Sequence, residues 1–385
     1  MRSSPSRERT TPPADERTAS FFSTPGVLAL EGGTLLGGRL RGAPVPAEGD
    51  LIFSTAATGW GEILTDPSYA GQIVVLTYPM VGNYRIDAGE LESERVHPRA
   101  VVVSRLVTPP AGLGRSFEEL LTEAGIPAIE GIDTRALTLA LRRGAARRAV
   151  IRAAEHAAEA SDEARQIPGW EALDHVAAVS TRTPYTLAPA MTRCGRATLL
   201  DYGAKRSLLR ALTERGVEVL VLPHDATASD VAATSPDLVV LSPGPGDPSR
   251  MAPQIETTAE LARQAAAGGP PILGICLGHQ LLALAAGAQT RRLAVGHHGG
   301  NHAVLELETG RVDIGAHNHE VEVVDGPVLA AAGYRVSHRD LNDETVEGLV
   351  HASGRIASVQ FHPEGAPGPI DAARVFDLAI ERATA

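Results

Sequence analysis

Short apolar runs alternate with amphipathic segments through the second half of the chain. The segments with helical periodicity are 205–215, 255–267 and 371–380. The apolar runs have the length of buried strands, at 198–200, 217–222, 238–241, 271–275, 303–308, 347–352 and 356–361. Alternation of strands with helices predicts an α/β fold, with a mostly parallel sheet and helices on both faces.

The first half of the chain has a different pattern, richer in strands. Predicted strands are 27–30, 35–36, 51–55 and 73–78, with a tight turn at 31–34 between the first two. Ser116 and Glu119 form a capping-box pattern that predicts a helix start. The composition of residues 134–143 and 153–175 also predicts helices. We therefore expect a β-rich α/β domain in front of the parallel sheet.

Changes of composition along the chain predict four segments. Residues 1–24 are rich in Ser, Thr, Pro, Arg and Glu without periodicity, as in a disordered tail. Residues 25–178 form the predicted N-terminal domain. The chain loses periodicity over 179–196, which we interpret as a linker. The second domain is predicted at 197–385.

Composition and charge restrict the function classes. The chain has 385 residues, 43% of them hydrophobic and 21% charged, as in ordinary globular proteins. A net charge of −11 argues against a nucleic-acid partner. No apolar run approaches the length of a membrane span, so no membrane association is expected. With only two cysteines, Cys194 and Cys276, no disulfide framework is expected, and a cytoplasmic location fits.

Cys276 lies at a predicted corner between a buried strand and a helix. Gly274 and Gly278 flank it, as in the Gly-x-Ser-x-Gly elbow that presents a nucleophile. A thiol at a helix N-terminus is expected to ionise more readily, because the helix dipole favours an anion there. The alternative is a structural cysteine, since free cysteines are often buried.

Two further motifs occur at predicted strand ends, a Pro-Gly-Pro-Gly loop at 243–246 and His-Pro-Glu at 362–364. In this order with Gly-Ile-Cys-Leu-Gly-His-Gln at 274–280, they resemble the class I (triad) glutamine amidotransferase family. The resemblance implies that Cys276 attacks the side-chain amide of glutamine and forms a γ-glutamyl thioester. It also implies that His362 is the general base and acid, and that Glu364 orients the imidazole.

The same resemblance implies a set of residues that bind glutamine and stabilise the oxyanion. In that set, Gly244, Gly246 and the N–H of Leu277 serve the oxyanion, and glycine is expected so that the substrate can approach closely. The remaining members of the set are Ala56, Gln280, Asn318, Glu320 and Val321.

Three of these positions depart from the family pattern. Ala56 stands where some members have Ser, and Glu320 and Val321 stand where Gly and an aromatic residue are usual. If position 320 were left-handed, a Glu there would cost roughly 1–2 kcal/mol. We therefore expect Glu320 to weaken or reshape glutamine binding, by backbone strain or by its charge.

The N-terminal half resembles the first domain of the small subunit of carbamoyl-phosphate synthases, in the stretches 58–60, 63–69, 76–79 and 132–138. This resemblance implies a separate large subunit that receives ammonia through an internal tunnel. It implies no cofactor in this chain, with ATP and Mg²⁺ on the large subunit, which converts bicarbonate to carbamoyl phosphate for arginine and pyrimidine synthesis. The chain has no Gly-x-x-x-x-Gly-Lys phosphate loop.

Several alternatives stay open. The histidines at 297–302 and 317–319 invite a metal site, but they lack the cysteine spacing of structural zinc, and none is expected. One alternative function is the glutaminase subunit of another synthetase, which the N-terminal resemblance argues against. Another is a non-catalytic docking or regulatory subunit, which the presence of Cys276 and His362 argues against.

Overall fold

The computed structural model describes residues 24–144 and 147–384. The predicted tail over 1–24 therefore lies outside the described residues, apart from Thr24. Within the described part, no helix has both the length and the apolar character needed to cross a bilayer.

The N-terminal part is a closed seven-stranded barrel with the strand order β1-β2-β6-β5-β4-β3-β7. Three helices lie between its strands, α1 Trp60–Thr65, α2 Phe117–Glu123 and α3 Thr134–Arg142. The strands are β1 Pro25–Leu30, β2 Leu35–Gly42, β3 Ala47–Ser54, β4 Gln72–Leu76, β5 Ala100–Val103, β6 Pro127–Glu130 and β7 Arg148–Ala153. Closure pairs every strand on both sides, so the barrel has no free sheet edge.

Local sequence signals account for several barrel elements. The predicted hairpin is present, because β1 and β2 pair antiparallel across the turn at 31–34. The predicted capping box is also present: Ser116 accepts from the Glu119 N–H, and the Glu119 carboxylate accepts from the Ser116 N–H. Both predictions are confirmed.

Two helices and a short strand follow the barrel, α4 Ala157–Gln166, α5 Val176–Val179 and β8 Tyr185–Leu187. The predicted linker over 179–196 is therefore not wholly irregular. Strand β8 pairs antiparallel with residues 219–221 of a strand of the second sheet. Its three residues were too few to give a periodic signal, and tertiary pairing forms the strand.

The C-terminal part is a ten-stranded sheet with the order β14-β13-β15-β16-β17-β12-β11-β9-β10-β8. Its remaining strands are β9 Gly195–Asp201, β10 Val217–Pro223, β11 Leu238–Leu241, β12 Ile272–Ile275, β13 Thr290–Glu306, β14 Val312–Val323, β15 Tyr334–Asp340, β16 Val346–His351 and β17 Ile356–Val359. Strands β10, β9, β11, β12 and β17 run parallel, and the other five are antiparallel.

Helices cover both faces of this sheet, as predicted. One core cluster contains side chains of α8 and α9, and the other contains side chains of α6 and α11. The helices are α6 Arg206–Thr213, α7 Ala228–Ala233, α8 Ala252–Ala266, α9 Leu277–Ala285, α10 Pro327–Ala331 and α11 Arg374–Thr384. Because β11, β12 and β17 are adjacent and parallel, their carboxyl ends bring the three sequence motifs to one edge.

Candidate active site

Cys276 occupies the corner between β12 and α9, as predicted. Its backbone has φ 51° and ψ −103°, a region that non-glycine residues avoid. A Cβ on Gly278 would lie 2.3 Å from the carbonyl oxygen of Leu241, and one on Gly274 would lie 2.8 Å from that of Gly278. Glycine on both sides therefore lets strand and helix pack closely enough to impose this conformation.

The Cys276 thiol is buried, and this changes its expected ionisation. Burial raises the pKa of the thiol, and the carboxylates of Asp66 and Glu364 raise it further, while the N–H of Leu277 lowers it. The prediction that the helix N-terminus would favour the thiolate is therefore wrong for this buried thiol. Desolvation outweighs the dipole, so attack requires a base that removes the proton.

His362 is oriented by a buried pair of charged groups. Its Nδ1 lies 2.7 Å from Glu364 Oε1, and Lys205 Nζ lies 3.0 Å from the same oxygen. Burial alone would raise the pKa of Glu364, but Lys205 and His362 hold it at about 2. The pKa of Lys205 is itself raised, because carboxylates around it outweigh its burial. The carboxylate is thus ionised and fixes the imidazole with a proton on Nδ1.

Lys205 was not among the residues predicted from sequence. It is the only lysine among 385 residues, in a chain that otherwise uses arginine for positive charge. Its ammonium also donates to the carbonyl oxygens of Gly365 and Ala366, at 2.8 and 3.1 Å. A compact point charge fits this buried position where a planar guanidinium would not. The isolated lysine in an arginine-rich composition was the available signal.

The thiol and the imidazole do not yet form a hydrogen bond. Cys276 Sγ lies 3.5 Å from Gln360 Nε2 and 3.9 Å from the carbonyl oxygen of Asn318. His362 Nε2 is buried and has no hydrogen-bond partner among the described residues. Catalytic hydrogen bonds of this kind commonly form only when the substrate is in place. The free Nε2 is therefore the atom available to take the thiol proton.

The three predicted oxyanion residues lie around Cys276. Gly244 and Gly246 line a cavity with the cysteine, and Leu277 begins α9 beside it. A Cβ on Gly244 would lie 2.2 Å from the carbonyl oxygen of Tyr202, so glycine is needed there for packing and not, as predicted, only for substrate approach. Gly246 has φ 105°, a conformation that favours glycine.

A chain of buried hydrogen bonds joins the two domains at this cavity. Asn318 Nδ2 donates to Asp66 Oδ2 at 2.9 Å, and Asn318 Oδ1 lies 2.9 Å from His298 Nδ1. His298 Nε2 lies 2.7 Å from Glu320 Oε1. Asp66 belongs to the barrel side, whereas the other three belong to β13 and β14. The predicted binding residue Asn318 is therefore held from both domains.

The negative charge of Glu320 is balanced by the positively charged groups around it. Its other oxygen contacts the guanidinium groups of Arg147, in the barrel, and Arg292. Burial would raise the pKa of Glu320, but His298, Arg147 and Arg292 hold it at about 2. The residue lies within strand β14 and has no positive φ, so the left-handed strain expected at this position is absent. Its charge serves as a link between the domains.

The other predicted binding residues occupy different places. Gln280 is buried, and its Nε2 donates to the carbonyl oxygen of Val321 at 2.8 Å and to Gln360 Oε1 at 3.0 Å. Val321 is also buried, in β14. Ala56 lines a neighbouring cavity on the His362 side, which shares only Asn318 with the cavity beside Cys276.

The cavity beside Cys276 is small. Its volume is about 20 Å³, enough for roughly one water molecule. Ser68 and Gln72 from the barrel side line it together with Gln280 and Asn318. Residues 62–84 carry no nucleophile or metal cluster in the sequence, which favoured a purely structural role, but Ser68 and Gln72 from this segment form part of one wall of the site. Glutamine needs more room, so these walls must separate before it can bind.

Two family models match the chain in separate ranges. The one described as "Carbamoyl-phosphate synthase small chain, CPSase domain" matches residues 28–151. The one described as "Glutamine amidotransferase class-I" matches residues 198–382. The two ranges coincide with the barrel and with most of the ten-stranded sheet.

Individual relatives are similar over nearly the whole chain. A protein named "Carbamoyl phosphate synthase small chain" from Methanopyrus kandleri is 42% identical over 359 residues, covering 91% of this chain and 96% of that protein. One with the same name from Bacillus caldolyticus is 41% identical, covering 92% and 96%. Among solved structures, a putative GMP synthase protein from Thermoplasma acidophilum superposes with a TM-score of 0.41 and 22% identity, covering 49% of this chain and 93% of that one.

Proposed function

The chain belongs to the family of carbamoyl phosphate synthase small chains, the glutamine-hydrolysing subunits of that enzyme, and on this basis we propose how its residues perform the hydrolysis. Cys276 is the nucleophile, His362 the general base and acid, and Glu364 the group that orients the imidazole. The observation that carries this assignment is the Lys205–Glu364–His362 arrangement, which leaves His362 Nε2 without a partner among the described residues. His362 follows Gln360 by two residues, and Gln360 Nε2 lies 3.5 Å from Cys276 Sγ.

The first half of the reaction forms a thioester. His362 Nε2 takes the thiol proton as sulfur attacks the side-chain amide carbon of glutamine. The amide oxygen becomes an oxyanion, and the N–H groups of Leu277 and Gly244 stabilise it. The carbon–nitrogen bond then breaks, His362 returns its proton to the nitrogen, and ammonia leaves. Glu364 stays ionised and stabilises the imidazolium between the two proton transfers.

The second half regenerates the enzyme. A water molecule gives a proton to His362 Nε2 and attacks the thioester carbon. The carbon–sulfur bond breaks, Cys276 recovers its proton from the imidazolium, and glutamate leaves. Among the substrate-binding candidates, we assign Asn318, held by Asp66 and His298, to the bound glutamine. Gln280 holds the carbonyl of Val321 and so shapes the same wall.

Ammonia passes to a large subunit, which we propose as the partner of this chain. That subunit would bind ATP and Mg²⁺ and make carbamoyl phosphate from bicarbonate, for arginine and pyrimidine synthesis. Direct transfer suits the chemistry, because ammonia released into neutral water is mostly protonated and is then no nucleophile.

The experiment measures glutaminase activity of the purified chain with and without the large subunit, ATP and bicarbonate. We expect a low basal rate that rises on mixing, with carbamoyl phosphate as product. Cys276→Ala should abolish the rate, whereas Cys194→Ala, at the chain's exposed second cysteine, should not change it. A chain that binds the large subunit but never hydrolyses glutamine would contradict the proposal and indicate a docking role.

A further inference from the structure

Strand β14 presents two different polar faces. Because side chains alternate along a strand, Asn318 and Glu320 share one face of β14 and His317 and His319 share the other, although His319 also lines the cavity beside Cys276. On β13, His297 is the cross-strand partner of His319. Behind the glutamine-facing wall there is therefore a second cluster of ionisable side chains, which the proposed mechanism does not use.

Four residues of this second cluster converge on one point, the side chains of His297, His317 and His319 with Glu347 of β16. One ligand atom from each lies within 4.8 Å of all the others, and all four residues are buried. Among the described residues, His297 Nδ1, His319 Nε2 and Glu347 Oε1 have no hydrogen-bond partner. Buried polar atoms are rarely left unpaired, so three in one cluster indicate a missing partner.

The far nitrogen of each histidine is already fixed. His319 Nδ1 lies 2.9 Å from the carbonyl oxygen of Val321, and His317 Nδ1 lies 3.2 Å from that of Gly315. His297 Nε2 lies 2.9 Å from Asp343 Oδ2. Carbonyl and carboxylate oxygens accept hydrogen bonds, so in His297 and His319 the far nitrogen carries the proton and the near nitrogen presents a lone pair. His317 has an oxygen acceptor at each ring nitrogen. This is the outer arrangement that orients histidine ligands of metals.

His317 and Glu347 already contact each other inside this cluster. His317 Nε2 lies 2.8 Å from Glu347 Oε2. Glu347 Oε1 also faces His297 Nδ1 and His319 Nε2, each at 3.9 Å. One cation bound between these atoms would satisfy them all.

We propose that His297, His317, His319 and Glu347 bind one divalent transition-metal ion, for which Zn²⁺ is the best fit. Imidazole and carboxylate ligands suit Zn²⁺, which prefers four ligands in tetrahedral geometry. The ligand atoms need only small movements to reach distances of about 2.0–2.2 Å from a common centre. The site is closed by four protein ligands, so its role is structural: it ties β13, β14 and β16 together behind the glutamine cavity.

A second combination shares two of these residues but is a poorer site. His297, His302, His317 and Asp340 meet the same distance limit. In that set, however, His302 Nδ1 and Asp340 Oδ2 already lie 2.8 Å apart as a hydrogen-bonded pair. Binding at either set would replace one such contact, His302–Asp340 there or His317–Glu347 here, but only the Glu347 set has three buried atoms without a partner among the described residues.

The experiment uses the full-length chain, freed of metal with a chelator and dialysed. Zn²⁺ alone is titrated in competition with a chromophoric chelator, and Co²⁺ alone is followed by its visible absorption. We expect one equivalent of either metal per chain, and a Co²⁺ spectrum of tetrahedral type without a thiolate charge-transfer band. Zn²⁺ should also raise the melting temperature of the unaltered chain, because it binds only the folded state.

Variants then locate the site. Glu347→Gln should weaken Zn²⁺ binding more than Asp343→Asn, which acts through His297 and should weaken it by about 10–100-fold. The matched control Glu322→Gln, on β14 but paired with Arg291, should leave binding unchanged, as should Cys276→Ser. No Zn²⁺ binding by the folded wild-type chain would overturn the proposal. So would binding that survives Glu347→Gln but is lost in Asp340→Asn, or binding that is lost in Cys276→Ser.

Discussion

Lys205 Nζ and His362 Nδ1 approach the same carboxylate oxygen, Glu364 Oε1, at 3.0 and 2.7 Å. All three side chains are buried. The ammonium therefore keeps Glu364 ionised in a place where burial alone would protonate it. Lys205 is a positioning residue that acts on the reaction only through Glu364 and His362.

Replacing Lys205 by methionine should lower kcat and change its pH dependence. Without the ammonium, the pKa of Glu364 rises, so protonation of Glu364 should begin to cost activity at a higher pH on the acid side of the kcat profile. KM should change little, because Lys205 does not reach the cavity beside Cys276. Arg206→Met, at the neighbouring residue paired with exposed Glu94, is the control and should leave the profile unchanged. An unaltered profile in Lys205→Met would show that the ammonium does not tune Glu364.

Asp66→Asn should raise KM for glutamine. The Asp66 carboxylate accepts from Asn318 Nδ2, and an asparagine there can present a competing amide N–H₂ to the same group. Losing a buried hydrogen bond to a charged group costs about 1.5–3 kcal/mol, which corresponds to a KM increase of roughly tenfold or more. Asp225→Asn, an exposed position in the second domain, serves as the control. Steady-state glutaminase assays would contradict the account if KM were equal in both variants.

Glu320→Gln should destabilise the fold in a pH-dependent way. The folded pKa of Glu320 is about 2, below its ordinary 4.5, so its stabilisation is present above pH 4.5 and lost as pH falls towards 2. The difference between the folded and the ordinary pKa corresponds to about 3 kcal/mol of folding free energy. Urea unfolding at a series of pH values should therefore show a lower free energy of unfolding for Glu320→Gln than for the unaltered chain near pH 7. This difference should shrink below pH 4.5.

The control for this stability effect is Glu322→Gln, two residues along the same strand. Glu322 is buried but its partner Arg291 is largely exposed, so that ion pair should contribute less to stability than the contacts of Glu320. Glu320→Gly should in addition raise KM, because it removes the link from β14 to Arg147 of the barrel. A lower KM in Glu320→Gly would contradict this role and restore the view that the glutamate impairs glutamine binding.

The two cysteines should differ in alkylation. Cys194 is exposed and Cys276 is buried, with the pKa of the Cys276 thiol raised above its ordinary 9.0. Iodoacetamide should therefore modify Cys194 first, and the rate at Cys276 should still be rising above pH 9. Peptide mass spectrometry after timed quenching measures both rates. Faster modification of Cys276 at neutral pH would mean that the site is open and the thiol ionised.

The local parts of the site could be predicted because their causes are local. The Cys276 corner depends on the two glycines that flank it, and the hairpin and capping box depend on residues within one turn. The role of Gly244 was only half predicted, because its close contact is with Tyr202, far away in sequence. The ionisation of Cys276 was predicted wrongly, because the pKa of its thiol is raised first by burial and then by the carboxylate of Asp66, which comes from the other domain.

The remaining features depend on which strands become neighbours, and sequence spacing does not contain that information. Glu320 was expected to be strained, but pairing of β14 with β13 gives it an extended backbone and brings Arg292 to its carboxylate. The histidine-rich stretch 296–302 is part of β13, with an irregular register there. The histidine cluster behind β14 arises from the same pairing, together with Glu347 of β16.

The most direct test of the account is to trap the covalent intermediate. The chain is mixed with its large subunit, glutamine, ATP and bicarbonate, quenched in acid within the first turnovers, digested and analysed by mass spectrometry. We predict a γ-glutamyl thioester on the Cys276 peptide, none on the Cys194 peptide, and its loss in Cys276→Ser. Glutamine consumed at full rate without a γ-glutamyl group on Cys276, or with undiminished rate in Cys276→Ser, would contradict the account.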